Sequence, residues 1–257
     1  MQEEYDKPLT IPDALKQQYA EEGYFILENA MSDQQIADLR EEAERFMRLQ
    51  DEIHAREGTQ ERDINEAGVR YFIGNKHREW NSDKLVRYLF SGLMAEICRA
   101  TVGGTAYLFN EQYVIKAGEK GTSFSWHQDS GYIGHPHPPY VTVWSTLDDV
   151  DEENGTVYLL PYSVGGRPEL VKHEWRESSH DLQGYFGDHP GVPVVCPAGS
   201  LAVFSSLAFH RSGANTTPRP RRVFLSQYSS EPITNREGTE LWQLAEPFLE
   251  NGRRVAP

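Results

Sequence analysis

The stretch Phe124-Ser125-Trp126-His127-Gln128-Asp129-Ser130-Gly131-Tyr132 decides how the rest of the chain is read. Side chains on an extended segment alternate with a period of two, so His127 and Asp129 point to the same side. An imidazole and a carboxylate so placed can hold one metal ion. A second imidazole, His210, ends the apolar run Leu207-Ala208-Phe209 and completes a set of two histidines and one carboxylate. Three such groups on one face leave the opposite coordination positions open, an arrangement suited to non-haem Fe(II). Alone, a His-x-Asp pair is a weak signal, because most histidines are surface or hydrogen-bonded core residues.

The surrounding texture adds weight. After Gly103-Gly104 the chain turns from helical periods to short extended runs broken by glycine, proline and asparagine. Strands are expected over 107–116, 122–128, 140–147, 156–160, 192–196, 200–204 and 222–228. In the first, Asn110, Gln112, Val114 and Lys116 share a face; in the third, Val141, Val143, Ser145 and Leu147 oppose Thr142, Trp144 and Thr146. Asn154-Gly155 marks a turn, since both residues tolerate positive φ. Residues 165–190 are too long and polar for an ordinary hairpin and read as an insertion over one mouth. The pattern predicts a mainly β fold with flanking helices, a double-stranded β-helix of the jelly-roll or cupin-like kind.

Upstream, a helix is expected over 11–19, a strand over 22–27, and a second helix opened by a Ser32/Gln35 capping box. Its apolar stripe is Ile36, Leu39, Ala43, Phe46 and Met47. The charge-rich segment 50–68 reads as a helix end running into a surface loop, a candidate lid. A strand over 70–73 and one helix from Asp83 through Cys98 follow. The division is a single domain over 1–257: a helical N-terminal part (1–103), a jelly-roll core (104–230) and a C-terminal extension (231–257).

A formal net charge of -14 over 257 residues disfavours nucleic acid, which needs a concentrated basic footprint. Neither a signal segment nor an apolar run of membrane-spanning length is visible, so a cytoplasmic protein with no membrane partner is expected. Two cysteines, Cys98 and Cys196, make no disulfide framework, and a reducing compartment suits a ferrous site. Oligomeric state is not legible.

Eleven residues beyond His210, Arg221 enters a strand from the run Pro218-Arg219-Pro220-Arg221-Arg222. A guanidinium beside a metal site can grip a carboxylate with two parallel hydrogen bonds, which lysine cannot do. A solvated arginine cluster is the bland alternative. Taken together, these residues resemble the phytanoyl-CoA dioxygenase family of Fe(II)- and 2-oxoglutarate-dependent oxygenases. The matching pieces are Trp126-His127-Gln128-Asp129, residues 147–156, Pro197-Ala198-Gly199-Ser200-Leu201, His210-Arg211-Ser212 and Pro218-Arg219-Pro220-Arg221.

That resemblance implies Fe(II) held by His127, Asp129 and His210, and the distal carboxylate of 2-oxoglutarate held by Arg221 with Ser212. It places Trp144, Asn110 and Gln112 along the cosubstrate, and it implies that O2 is consumed. The implied reaction hydroxylates an unactivated C–H bond of a small-molecule metabolite or natural-product intermediate, releasing succinate and CO2. Asp129 speaks against halogenation, since halogenases of this fold generally carry a small residue there. A cupin-like metal protein that binds or isomerises without 2-oxoglutarate turnover is the alternative, and it would have no use for Arg221. A silent binding module would tolerate loss of the triad. The chain departs from many relatives at Pro161-Tyr162-Ser163-Val164, where they have Pro-Gly-Ser-His. Tyr71, Lys76, His77, Gln128, Tyr132 and the insertion are candidate pocket residues, whereas His135 and His137, flanked by prolines, read as an exposed stiff loop.

Overall fold

Two antiparallel sheets face each other, and the larger one draws strands from both ends of the chain. The computed structural model describes residues 5, 10–58, 64–65, 68–119, 122–165, 169–177 and 179–255, without side chains for 64, 65 and 68–71. With strands numbered in chain order, the major sheet runs β1 (Tyr24–Leu27), β11 (Leu201–Ser205), β6 (Val141–Thr146), β13 (Arg221–Ser229), β4 (Ala106–Lys116), β14 (Glu246–Glu250) and β15 (Arg253–Arg254). The far edge of β4 is shared: β3 (Gly68–Gly74) pairs with its C-terminal half, β14 with its start, and β2 (Ile64–Asn65) lies on β3. The minor sheet runs β10 (Val192–Pro193), β7 (Val157–Leu159), β12 (His210–Ser212) and β5 (Phe124–His127). A separate hairpin joins β8 (Glu174–Arg176) to β9 (Asp181–Gln183).

The alternation expected from the sequence sorts the major sheet into two working faces. Val141, Val143, Tyr113, Ile115, Phe224 and Tyr228 pack outward against the helices, in a core that includes Leu39, Phe46, Leu85 and Met94. Each such fully buried side chain contributes about 1.5–3 kcal/mol. The intervening Thr142, Trp144, Asn110, Gln112, Val114, Arg221 and Gln227 are left for the space between the sheets. Had the register slipped by one residue, these polar groups would lie in the helix core.

The helices are α1 (Asp13–Glu22), α2 (Asp33–Glu57), α3 (Asp83–Leu89) and α4 (Gly92–Thr101). Ser32 and Gln35 form the expected capping box, with Ser32 Oγ accepting from the Gln35 amide and Gln35 Oε1 from the Ser32 amide. Two expectations are corrected. Helix α2 continues to Glu57 and stops at Gly58 in the left-handed region, because the charged residues after Gln50 are sound helix formers on an exposed face. The helix expected from Asp83 through Cys98 is two helices, since the Ser91 hydroxyl caps a new one by accepting from the Met94 amide. The strands expected over 22–27 and 70–73 are β1 and β3, so the N-terminal part adds strands as well as helices to the fold. The C-terminal extension places β14 in the major sheet, with Phe248 and Leu249 buried.

Candidate active site

Strands β5 and β12 set His127 and His210 directly opposite each other across the ladder, with ring centroids 4.2 Å apart. The His127 Nδ1 lies 2.7 Å from the Ser125 carbonyl and the His210 Nδ1 lies 3.1 Å from that of Ala208. A carbonyl only accepts, so each Nδ1 carries the proton and each Nε2 presents its lone pair to the centre. Burial, followed by the neighbouring His210, pushes His127 down to about 4 despite Asp129, so its imidazole is neutral at physiological pH.

Asp129 opens a 3-10 turn immediately after β5. Its Oδ2 accepts from the Thr142 hydroxyl at 2.6 Å on β6 and from Gln227 Nε2 at 3.0 Å on β13. Its Oδ1 is thereby turned inward, 3.8 Å from His127 Nε2 and 3.4 Å from His210 Nε2. Burial alone would raise this carboxyl; the Thr142 hydroxyl, donating to Oδ2, lowers it. Two imidazole lone pairs and a carboxylate oxygen, all within 4.8 Å of one another, converge without a donor between them. Such a set repels itself unless a cation occupies its centre, and its N2O composition suits a divalent first-row metal.

Further into the same cavity lies Arg221, 2 % exposed. Its Nη2 donates to the Gly155 carbonyl at 3.0 Å, while Nε and Nη1 have no protein partner. Burial lowers the guanidinium to about 10, still charged at neutral pH, and its carbon sits 5.4 Å from the Trp144 ring centroid. Unpaired buried donors of a cation are costly, so this fork fits a carboxylate arriving from the cavity. Ser212 stands alongside. Its Oγ accepts from the ammonium of the fully buried Lys116 at 2.8 Å, which leaves the hydroxyl proton free to donate. Lys116 also donates to the carbonyls of Gly155 and Gly213.

Local sequence explains this placement. Gly155 has φ +79°, and an added Cβ would lie 2.6 Å from the Gly213 carbonyl oxygen, so only glycine can aim its carbonyl at both cations. Asn215 holds the turn before β13 by donating to the Ala117 and Arg219 carbonyls at 3.1 and 2.8 Å. Arg222, on the opposite face, pairs with Asp148 at 2.7 Å, and Arg219 is exposed.

The cavity of about 400 Å³ brings together all eight residues singled out from the sequence: His127, Asp129, His210, Arg221, Ser212, Trp144, Asn110 and Gln112. Among the described residues of the looser pocket candidates, only Tyr132 and His180 of the insertion line it. Gln128 is instead a strut, donating to the Glu169 and Leu207 carbonyls at 2.8 Å and accepting from the Val171 amide. Lys76 pairs with Glu79, and His77 is buried against Glu111 and Glu246. The Tyr71 side chain lies outside the described residues. Pro161–Val164 packs elsewhere: the Tyr162 ring lies against Gly23 and Ser163 donates to Glu22. His135 and His137 are half-buried rather than exposed, with His137 held 3.0 Å from the Ser130 hydroxyl.

Sequence reasoning missed Thr142 and Gln227, the groups that orient Asp129, and also Trp242 and Gln243 at the mouth. Alternation could have found both: Gln227 shares a face of β13 with Arg221, and Thr142 shares a face of β6 with Trp144. No local signal marks Trp242 and Gln243.

The family described as phytanoyl-CoA dioxygenase (PhyH) matches residues 19–223. The L-proline trans-4-hydroxylase of Streptomyces griseoviridis is 27 % identical over 260 residues, 91 % of this chain and 90 % of that protein. An ectoine dioxygenase of Bordetella parapertussis is 27 % identical over 238 residues, 85 % and 76 % of the two chains. Among solved structures, the non-haem α-ketoglutarate-dependent carbocyclase SnoK from nogalamycin biosynthesis superposes with a TM-score of 0.66 at 18 % identity, covering 95 % of this chain and 97 % of its own. The epimerase SnoN, solved with Fe3+ and α-ketoglutarate, gives 0.64 at 18 % identity over 93 % and 96 %. A match that takes in the β roll together with the helices packed on it leaves one assignment, and the chain belongs to the phytanoyl-CoA dioxygenase family.

Proposed function

We propose that this protein, by its family a non-haem Fe(II)- and 2-oxoglutarate-dependent dioxygenase, binds iron through His127, Asp129 and His210 and hydroxylates an unactivated C–H bond of a small molecule. The observation that carries the reading is the pairing of two complementary features in one cavity, the donor-free centre of the triad and the unpartnered fork of Arg221. A metal protein without 2-oxoglutarate turnover would need only the first. The relatives point the same way, since an L-proline hydroxylase and an ectoine dioxygenase are named for small-molecule substrates.

When bound, iron with 2-oxoglutarate and O2 supplies the oxidising power, and the cosubstrate leaves as succinate and CO2. The protein's part is positioning. Thr142 and Gln227 engage Asp129 Oδ2, which keeps this carboxylate to one inward oxygen, the atom that would hold the metal. Arg221 and Ser212 orient the cosubstrate by its far carboxylate, and the Trp144 ring fixes the guanidinium. Phe72, Phe109 and Phe124 keep the cavity poor in water.

We read the chain as one catalytic domain. No helix among the described residues is long and apolar enough to cross a membrane, and a reducing cytoplasmic setting agrees with Cys98 and Cys196, both buried and free. Reconstitution tests the site: the chain should take up one Fe(II) without air and, once O2 is admitted, form succinate from 2-oxoglutarate. His210→Ala should lose both, and a variant that kept its iron and its turnover would remove His210 from the site.

A further inference from the structure

We propose that the substrate is an uncharged molecule bearing a flat ring, held by the aromatic walls at the outer end of the cavity; the proposal rests on the oxygenase reading above. Apart from histidines, the described lining carries three charged side chains, Asp129, Arg211 and Arg221. Asp129 and Arg221 are assigned to the metal and the cosubstrate. Arg211 is engaged elsewhere: its guanidinium carbon lies 3.7 Å from the Tyr158 ring centroid, and Nη2 donates to the Pro190 carbonyl. An ionic substrate would therefore find no counter-charge among the described residues, and burying an unpaired charge is strongly unfavourable.

What remains is aromatic and amide. Phe72, Phe109, Tyr132, Tyr140 and Trp242 offer ring faces and edges, against which a flat ring packs offset or edge-on. Tyr132 and Trp242, 44 % and 39 % exposed, stand where the cavity opens to solvent. Two amides supply polarity without charge. Asn110 spends an N–H on Gln227 Oε1 at 2.9 Å and keeps its carbonyl as an acceptor. Gln243 accepts from Asn75 at 2.6 Å and keeps its N–H groups as donors. One hydroxyl or carbonyl on the ring would satisfy either.

The test is calorimetric binding to the Mn(II)- and 2-oxoglutarate-loaded protein near pH 8, where ordinary histidines are neutral. The probes are indole, tryptamine, indole-3-acetate and L-proline: one ring in neutral, cationic and anionic form, and a zwitterion without a flat ring. Indole is expected to bind at least tenfold more tightly than the other three. Trp242→Ala should weaken indole at least fivefold with the 2-oxoglutarate affinity unchanged, and Gln243→Glu should narrow the gap to tryptamine. Both positions are exposed, so the fold is not at stake. Equal affinities, tighter binding of any charged probe or of L-proline, or no binding of indole would overturn the proposal. Failure to bind 2-oxoglutarate itself would instead strike at the oxygenase reading.

Discussion

Arg221 and Asp129 solve opposite versions of one problem, how to hold a buried charge without neutralising it. Asp129 spends one oxygen on Thr142 and Gln227 and keeps the other for the centre; Arg221 spends Nη2 on Gly155 and keeps Nε and Nη1. Replacing the fork by a point charge removes the second parallel hydrogen bond. Arg221→Lys should therefore raise the 2-oxoglutarate concentration needed for half-maximal turnover at least several-fold, with the iron content unchanged. An unchanged requirement would remove Arg221 from the cosubstrate site. Thr142→Val keeps the side-chain shape but frees Asp129 Oδ2 from its closest donor. The expected loss is about 10- to 100-fold in metal affinity, read by Mn(II) titration of the resting protein.

Elements are joined by contacts that local sequence does not announce. His77, in the loop after β3, donates toward Glu111 Oε1 on β4 at 3.4 Å and Glu246 Oε1 at the head of β14 at 2.8 Å, clasping the C-terminal strand to the sheet. Burial alone would lower His77, but hydrogen bonds to Glu111 and Glu246 raise it to about 9; Glu246, opposed by burial, is brought to about 2 by His77 and Arg78. A raised histidine contributes stability that is complete below about pH 6.5 and lost as pH climbs through 9. A depressed glutamate contributes stability that is complete above about pH 4.5 and lost as pH falls through 2. The clasp is thus at full strength between these limits, worth at most about 3 kcal/mol shared by the pair. In urea unfolding, the gap between the native protein and His77→Gln should shrink as pH rises from 6.5 to 9. A gap independent of pH would mean that His77 is neutral in the fold.

At the scale of the molecule, the cavity mouth is assembled from parts far apart in the chain: Tyr132 after β5, His180 at the β8–β9 turn, and Trp242 and Gln243 ahead of β14. None of residues 50–58 lines it, and the rest of the lid expected over 50–68 falls partly outside the described residues. Strand β8 is exposed along its whole length, and the hairpin is anchored on β5 through β9, where the Ser125 amide donates to Asp181 and the Gly184 amide to the Trp126 carbonyl. Hydrogen exchange should show amides 174–177, 179–183 and 240–243 gaining protection when metal, 2-oxoglutarate and a bound ring probe are all present. Protection confined to β13 would mean a mouth that does not close. The sequence by itself determined the β alternation, the capping box of α2, the Asn154-Gly155 turn, and the residue types able to hold iron and a carboxylate. These rest on periods of two and 3.6, on backbone dihedrals and on side-chain chemistry, all of which are local. Only the tertiary structure decided that His127 faces His210, that Thr142 and Gln227 share one oxygen of Asp129, and that Trp242 reaches the mouth. Pairings across scores of residues depend on which register buries the most apolar surface over the whole sheet, and no stretch of chain carries that sum.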